Sequence, residues 1–102
     1  PKYTELEEAI SKDYHVRFYD LDMNGHVNNS KYLDWIFEVL GADFLTNHIP
    51  QKINLRYVKE VRPGGMITSS YELNGLESNH QVSSDGDINA QAKITWQEIN
   101  KD

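Results

Sequence analysis

Tyr32, Leu33, Trp35, Ile36, Val39, Leu40 and Phe44 recur at steps of three and four residues. That spacing draws one apolar stripe and predicts a single long amphipathic helix. Asn29 or Ser30 suits its N-cap, Gly41 is a point where it frays or ends, and Pro50 is a firm stop. On both sides of this stretch the period changes to two. His15-Val16-Arg17-Phe18-Tyr19 alternates as a short strand does, and so do Ile53, Leu55, Tyr57 and Val61. Arg62-Pro63-Gly64-Gly65 predicts a turn, followed by a strand from Met66 to Leu73 that ends at Asn74-Gly75. His80 to Ser83 reads as a weaker strand, Ser84-Asp85-Gly86-Asp87 as another turn. Ile88 to Ile99 reads as a last strand, with Ala90, Ala92, Ile94 and Trp96 on one face. The first 13 residues show no sustained period and read as a leader or linker, which puts the domain at 14–102.

One apolar helix and one half-apolar sheet must bury each other, so the class is α+β. A chain of 102 residues is a single domain with a thin core. The sheet or its edge is therefore expected to pair with a second copy or a second domain, as a homodimer if the chain stands alone.

Charge and composition narrow the function. The net charge of −6 argues against general nucleic-acid binding, which needs cations to neutralise phosphates. No apolar run approaches the ~20 residues of a membrane span. The acidic, polar first residues are not expected to be a signal peptide. The chain has no cysteine, which removes disulfides, thiolate metal sites and a cysteine nucleophile, and fits a cytoplasmic protein.

The densest polar cluster is the loop before the helix, with Asp20, Asp22, Asn24, His26, Asn28 and Asn29. A helix start offers unpaired N–H groups and partial positive charge, which suit a carbonyl oxygen becoming an oxyanion. Carboxylate and imidazole beside it suit water activation. Asp20-x-Asp22-x-Asn24-Gly25 also matches the first half of a calcium loop, but position twelve is Lys31 where a glutamate is required. The other histidines, His15, His48 and His80, have no ligand spacing, so neither metal nor cofactor is expected. Taken one at a time, these loop residues are also ordinary turn formers and helix caps.

Asp22-x-Asn24-x-His26-Val27-Asn28-Asn29-x-x-Tyr32-x-x-Trp35, followed by Leu55-Arg56-Tyr57-x-x-Glu60, resembles the signature of acyl-ACP thioesterases of plants and bacteria. The resemblance implies a hotdog fold, an antiparallel sheet wrapped around one central helix, and hydrolysis of fatty acyl-ACP thioesters to free fatty acid and holo-ACP. It aligns Asp22, Asn24, His26 and Glu60 with the family's catalytic residues. On that alignment His26 or Glu60 activates water, Asn24 positions the thioester or the water, and Asp22 orients the site. Val27, Asn28, Asn29, Tyr32 and Trp35 are then expected to line the substrate pocket, although the helix stripe alone explains Tyr32 and Trp35. Plant members often carry cysteine after the glutamate; here it is Val61. Members usually contain two hotdog domains, and this chain is similar to the second, with the acidic leader similar to the linker between them.

Strand alternation by itself puts Glu60 beside Arg56 and Arg62, away from Leu55 and Tyr57, as a surface ion pair of little worth. A bulge near Val58-Lys59 is one way to re-aim it. The implied carrier protein is acidic and needs a local basic patch on this acidic chain. Lys52, Arg56, Lys59 and Arg62 are the densest candidates, with Lys31 near the pocket mouth. Two other functions fit the same residues. One is a single-hotdog acyl-CoA thioesterase, whose Asp-x-x-Gly loop is matched by Asp22 to Gly25. The other is a non-catalytic acyl-binding or dimerisation half of a two-domain protein.

Overall fold

The computed structural model describes residues 3–99. Pro1 and Lys2 of the expected leader, and residues 100–102 of the expected domain, lie outside the described residues. The chain forms β1 (Ile10–His15), a 3-10 turn (Phe18–Asp20), α1 (Asn29–Glu38), α2 (Ala42–Asn47), β2 (His48–Tyr57), β3 (Met66–Asn74), β4 (Glu77–Ser84) and β5 (Asp87–Glu98). The strands make one five-stranded sheet in the order β1-β3-β4-β5-β2, antiparallel at every pairing. Helix α1 lies across β3 and β4, the hotdog arrangement expected from the helix stripe and the strands after it.

The core lies between α1 and the sheet. Tyr32, Trp35 and Ile36 of the helix meet Ile67, Val82, Ala90, Ala92, Ile94 and Trp96, all buried. A small residue lets the helix come close: Ser69 on β3 is fully buried, and its hydroxyl donates to the Trp35 carbonyl at 2.9 Å.

Several local expectations need correction. The first strand is Ile10–His15, not 15–19, so the boundary expected at Tyr14 falls inside it. β1 is an edge strand held by its ladder to β3 and mostly exposed, so it carries little apolar signal. Phe18–Asp20 is a 3-10 turn instead of strand, because the Asp20 carboxylate accepts the Arg17 N–H at 2.8 Å and closes the chain on itself. The single long helix is two, although its break falls where an end was expected: Gly41, at φ 89°, turns the chain between α1 and α2. The N-cap is Asn28, whose side chain accepts from the Ser30 N–H. Pro50 does not stop a helix; it sits within β2, an edge strand that tolerates its missing N–H.

Candidate active site

The loop from Leu21 to Val27 is a small closed hairpin. Leu21 and Val27 bridge across it, the Asp22 N–H donates to the His26 carbonyl at 2.7 Å, and the Gly25 N–H donates to the Asp22 carbonyl at 3.0 Å. Gly25 supplies the positive φ of 77°. Asp22 Oδ1 accepts the N–H groups of Asn24 and His26, at 2.9 and 3.0 Å. The Asp22 carboxylate therefore holds the loop that carries His26. Val27 is buried and pins the end of the loop to the core.

Asp20, at the other side of this loop, is 4% exposed. Burial by itself raises its pKa, but the Arg17 N–H and the cations of Lys31 and Arg17 outweigh that and hold the carboxyl below its ordinary range. Lys31 Nζ lies 3.5 Å from Asp20 and 3.8 Å from Asp34, so its charge is already compensated.

Glu60 comes from an irregular segment after β2, since the strand ends at Tyr57. The N–H groups of Val58 and Lys59 both donate to the Asn89 carbonyl, at 2.8 and 3.2 Å. Two successive donors on one acceptor are the mark of a bulge, the alternative to regular strand alternation at Val58-Lys59. The bulge takes Glu60 out of the strand alternation and brings Oε1 to 3.7 Å from His26 Nδ1. That separation is ion-pair range, longer than a hydrogen bond. The reading of Glu60 as a partner of Arg56 and Arg62 is thus replaced.

Beside this pair is a pocket of about 200 Å3 lined by Val27, Asn29, Tyr32, Tyr57, Val58, Lys59 and Glu60. Tyr32 spans its floor: the hydroxyl accepts the Val61 N–H at 3.0 Å. Burial, above all, and the nearby Glu60 charge raise the Tyr32 pKa, which keeps the phenol neutral. The Tyr57 hydroxyl donates to the Asn29 carbonyl at 3.2 Å, closing one wall. At the start of α1 the N–H of Asn28 is taken by Asp20, and those of Ser30 and Lys31 by Asn28 itself. Among the described residues no such bond engages the N–H of Asn29, a residue that lines the pocket.

The expected site residues separate into groups. His26 and Glu60 meet. Asp22 touches the backbone of Asn24 and His26 and faces a neighbouring recess with Phe18, Tyr19 and Met23. The Asn24 side chain is exposed, and among the described residues only its N–H is engaged. Val27, Asn29 and Tyr32 line the pocket, while Asn28 caps the helix. Trp35 does not line it. Its side chain borders a groove of about 510 Å3 between β1 and α1 with Tyr14, Arg17 and Lys31. That groove is larger but is lined by neither His26 nor Glu60, whereas Glu60 lines the smaller pocket and His26 approaches it only through Glu60. Among the described residues, no group of three or more His, Asp or Glu could hold a metal ion.

The basic residues are also divided. Lys52 and Arg56 pair with Thr95 and Gln91 in the register that alternates with Ile53 and Leu55, so they share the face of β2 turned from the helix. Lys59 is bound to Asp87 at 2.7 Å, and Arg62 is exposed in the segment after the bulge. Tyr57, Val58 and Asn89 belong to the site architecture and were missed. In the sequence Tyr57 stands out only as part of the motif and Val58 only as the place of a bulge, neither as a lining residue, and Asn89 gives no local signal at all.

Residues 3–98 match the family model for the acyl-ACP thioesterase C-terminal domain. The chloroplastic palmitoyl-acyl carrier protein thioesterase of Gossypium hirsutum is 30% identical over 84 residues, which cover 82% of this chain and 20% of that protein. Among solved structures, a Lactobacillus plantarum protein described as an oleoyl thioesterase superposes with a TM-score of 0.89 at 31% identity, over 99% of this chain and 43% of its own. The 12:0-ACP thioesterase from Umbellularia californica superposes with a TM-score of 0.84 at 26% identity, over 97% of this chain and 40% of its own. The chain thus spans about a fifth of the curated relative and about two fifths of the solved ones.

Proposed function

Because this chain belongs to the acyl-ACP thioesterase C-terminal domain family, we propose that its His26–Glu60 site hydrolyses fatty acyl thioesters borne by acyl carrier protein. The observation that carries the reading is the approach of His26 to Glu60 at 3.7 Å beside a pocket at the start of α1. Glu60 orients the imidazole through Nδ1, and Nε2 accepts a proton from water. The water oxygen attacks the thioester carbon. The carbonyl oxygen, now negative, is stabilised by the Asn29 N–H and the positive end of α1. The tetrahedral intermediate collapses with scission of the C–S bond, and the departing thiolate takes the proton from His26. The products are the fatty acid and the carrier thiol.

The test is steady-state hydrolysis by the purified full chain, offered acyl-ACP and acyl-CoA in parallel. Turnover of acyl-ACP that is lost in His26→Ala supports the reading. Preference for acyl-CoA would assign the site to the other thioesterase class. Absence of turnover on both, or full turnover by His26→Ala, would refute it.

The carrier contact proposed is the Lys52–Arg56 face together with the exposed Arg62, Lys59 being held by Asp87. Reversal of Lys52 and Arg56 should raise KM for acyl-ACP and spare acyl-CoA. We also place a second hotdog domain against β2, either from another copy or from a longer chain. The support is an edge strand of ten residues with no further strand beside it among the described residues, on which Ile49, Ile53 and Tyr57 are each at least 40% exposed. Light scattering on the chain alone should then give twice its 11.8 kDa.

A further inference from the structure

Glu60 is 56% exposed, and among the described residues its side chain meets no polar partner except His26. Its direction must therefore come from its main chain. The Cα–Cβ bond of a residue is aimed by the two peptide planes that flank its Cα, because φ and ψ are the rotations between them. Both planes at Glu60 are held by buried side chains from other elements.

The plane before Glu60 contains the Lys59 carbonyl. Asn89 Nδ2 donates to that carbonyl at 3.0 Å, and Asn89 Oδ1 accepts from the Ser84 hydroxyl at 2.7 Å. A donor required on one side and an acceptor on the other fix the amide orientation. Asn89 is 2% exposed. It is also the extra residue of β5 where the β4–β5 register slips, with Val82 opposite Ala90 and Ser83 opposite Ile88. The slip leaves Asn89 out of the β4 ladder, free to serve the Val58–Lys59 bulge with both its carbonyl and its side chain. The plane after Glu60 contains the Val61 N–H, which donates to the Tyr32 hydroxyl at 3.0 Å. Tyr32 and Val61 are 3% and 2% exposed.

We propose that Asn89 and Tyr32 are positioning residues that lock the two peptide planes flanking Glu60 and so aim its carboxylate at His26. The inference rests on the reading of Glu60 as part of the hydrolytic pair. Asn89 does not line the pocket, and although Tyr32 forms its floor, the Tyr32 hydroxyl is engaged by the Val61 N–H, so in this role each acts through Glu60. The carbonyl of residue 89 survives any substitution, so loss of the Asn89 side chain frees the Lys59–Glu60 plane while leaving the bulge bonds in place.

The experiment is a pair of double-mutant cycles on the full chain with acyl-ACP. Asn89→Ala and Tyr32→Phe are each measured alone and combined with Glu60→Gln, with kcat, KM and thermal midpoint recorded. In the native background each should lower kcat by about ten- to hundredfold, the scale of a misplaced catalytic group, with KM little changed. In the Glu60→Gln background each should lower kcat by less than about threefold, because the group they aim is already disabled. Equal losses in both backgrounds would mean a merely structural role and overturn the proposal. So would an unchanged kcat in both single variants when Glu60→Gln alone is slow. Tyr32→Phe removes only a hydroxyl and carries the test if Asn89→Ala does not fold. If Glu60→Gln itself keeps the native rate, the assignment of Glu60 fails and the proposal falls with it, a result distinct from the other two.

Discussion

His26 Nδ1 faces Glu60 Oε1 across 3.7 Å, and both side chains are more than half exposed, at 61% and 56%. An exposed pair of this kind adds little to folding stability, since water and salt screen it. Its value lies in chemistry. Glu60→Gln and His26→Ala should each lower kcat by about 10²–10⁴, the usual cost of losing a general base or its partner. Their thermal midpoints should stay close to that of the native chain. A large fall in midpoint with a modest loss of rate would show a structural pair instead.

Asp22 is expected to act through the loop. Its Oδ1 takes two main-chain N–H groups, and asparagine offers an oxygen at the same place. Asp22→Ala should loosen the loop, cost about 1 kcal/mol of stability and lower kcat markedly. Asp22→Asn should recover most of the stability and much of the rate. If Asp22→Asn is as slow as Asp22→Ala at native stability, the carboxylate charge itself takes part in the reaction.

His80 predicts a loss of stability in mild acid. It is 3% exposed and stacks on Tyr71, with Nε2 2.7 Å from the Ser78 hydroxyl and Nδ1 without a partner among the described residues. The Ser78 oxygen also accepts the Trp96 indole N–H at 2.8 Å. Burial pushes the His80 pKa down to about 4 from 6.5. Between those values the unfolded chain binds the proton and the folded chain does not. Stability is therefore full above about 6.5, falls as pH drops towards 4 and levels off below, a change on the order of 3 kcal/mol. Urea midpoints at pH 7 and pH 4.5 should differ in the native chain, with the difference much reduced in His80→Phe. A native midpoint that is flat over this range would contradict the assignment.

Asp20 acts in a lower window. Its pKa is depressed in the folded chain, so its contribution is complete above the ordinary 3.8 and is lost only as pH falls through the lower folded value. Asp20→Asn should cost about 1–3 kcal/mol at pH 7, because the Arg17 N–H and the Lys31 ammonium lose a charged acceptor. That cost should be the same at pH 7 and pH 5 and shrink only below pH 4. Shrinkage already between 7 and 5 would mean that the carboxyl is not depressed.

The sequence alone determined the parts whose physics is local. The helix stripe from Tyr32 to Phe44, which the structure divides at Gly41, the alternation of Ala90, Ala92, Ile94 and Trp96, and the turns at Asn74-Gly75 and Asp85-Gly86 follow from side-chain periodicity and backbone preference. The polar loop next to a helix start was legible for the same reason, and the spacing from Asp22 to Glu60 carried the family. Only the tertiary structure decided how those residues act. β1 is an exposed edge strand, held by backbone bonds that leave no mark in residue type. Asp22 turned out to brace the loop, Trp35 to face another groove, and Lys59 to be bound to Asp87. Above all, Glu60 meets His26 because Asn89, 30 positions from the Lys59 carbonyl it binds, supports a bulge between two strands. A bulge is a mismatch in pairing, and pairing partners are set by the whole sheet, so no stretch of sequence near Glu60 could have specified its direction.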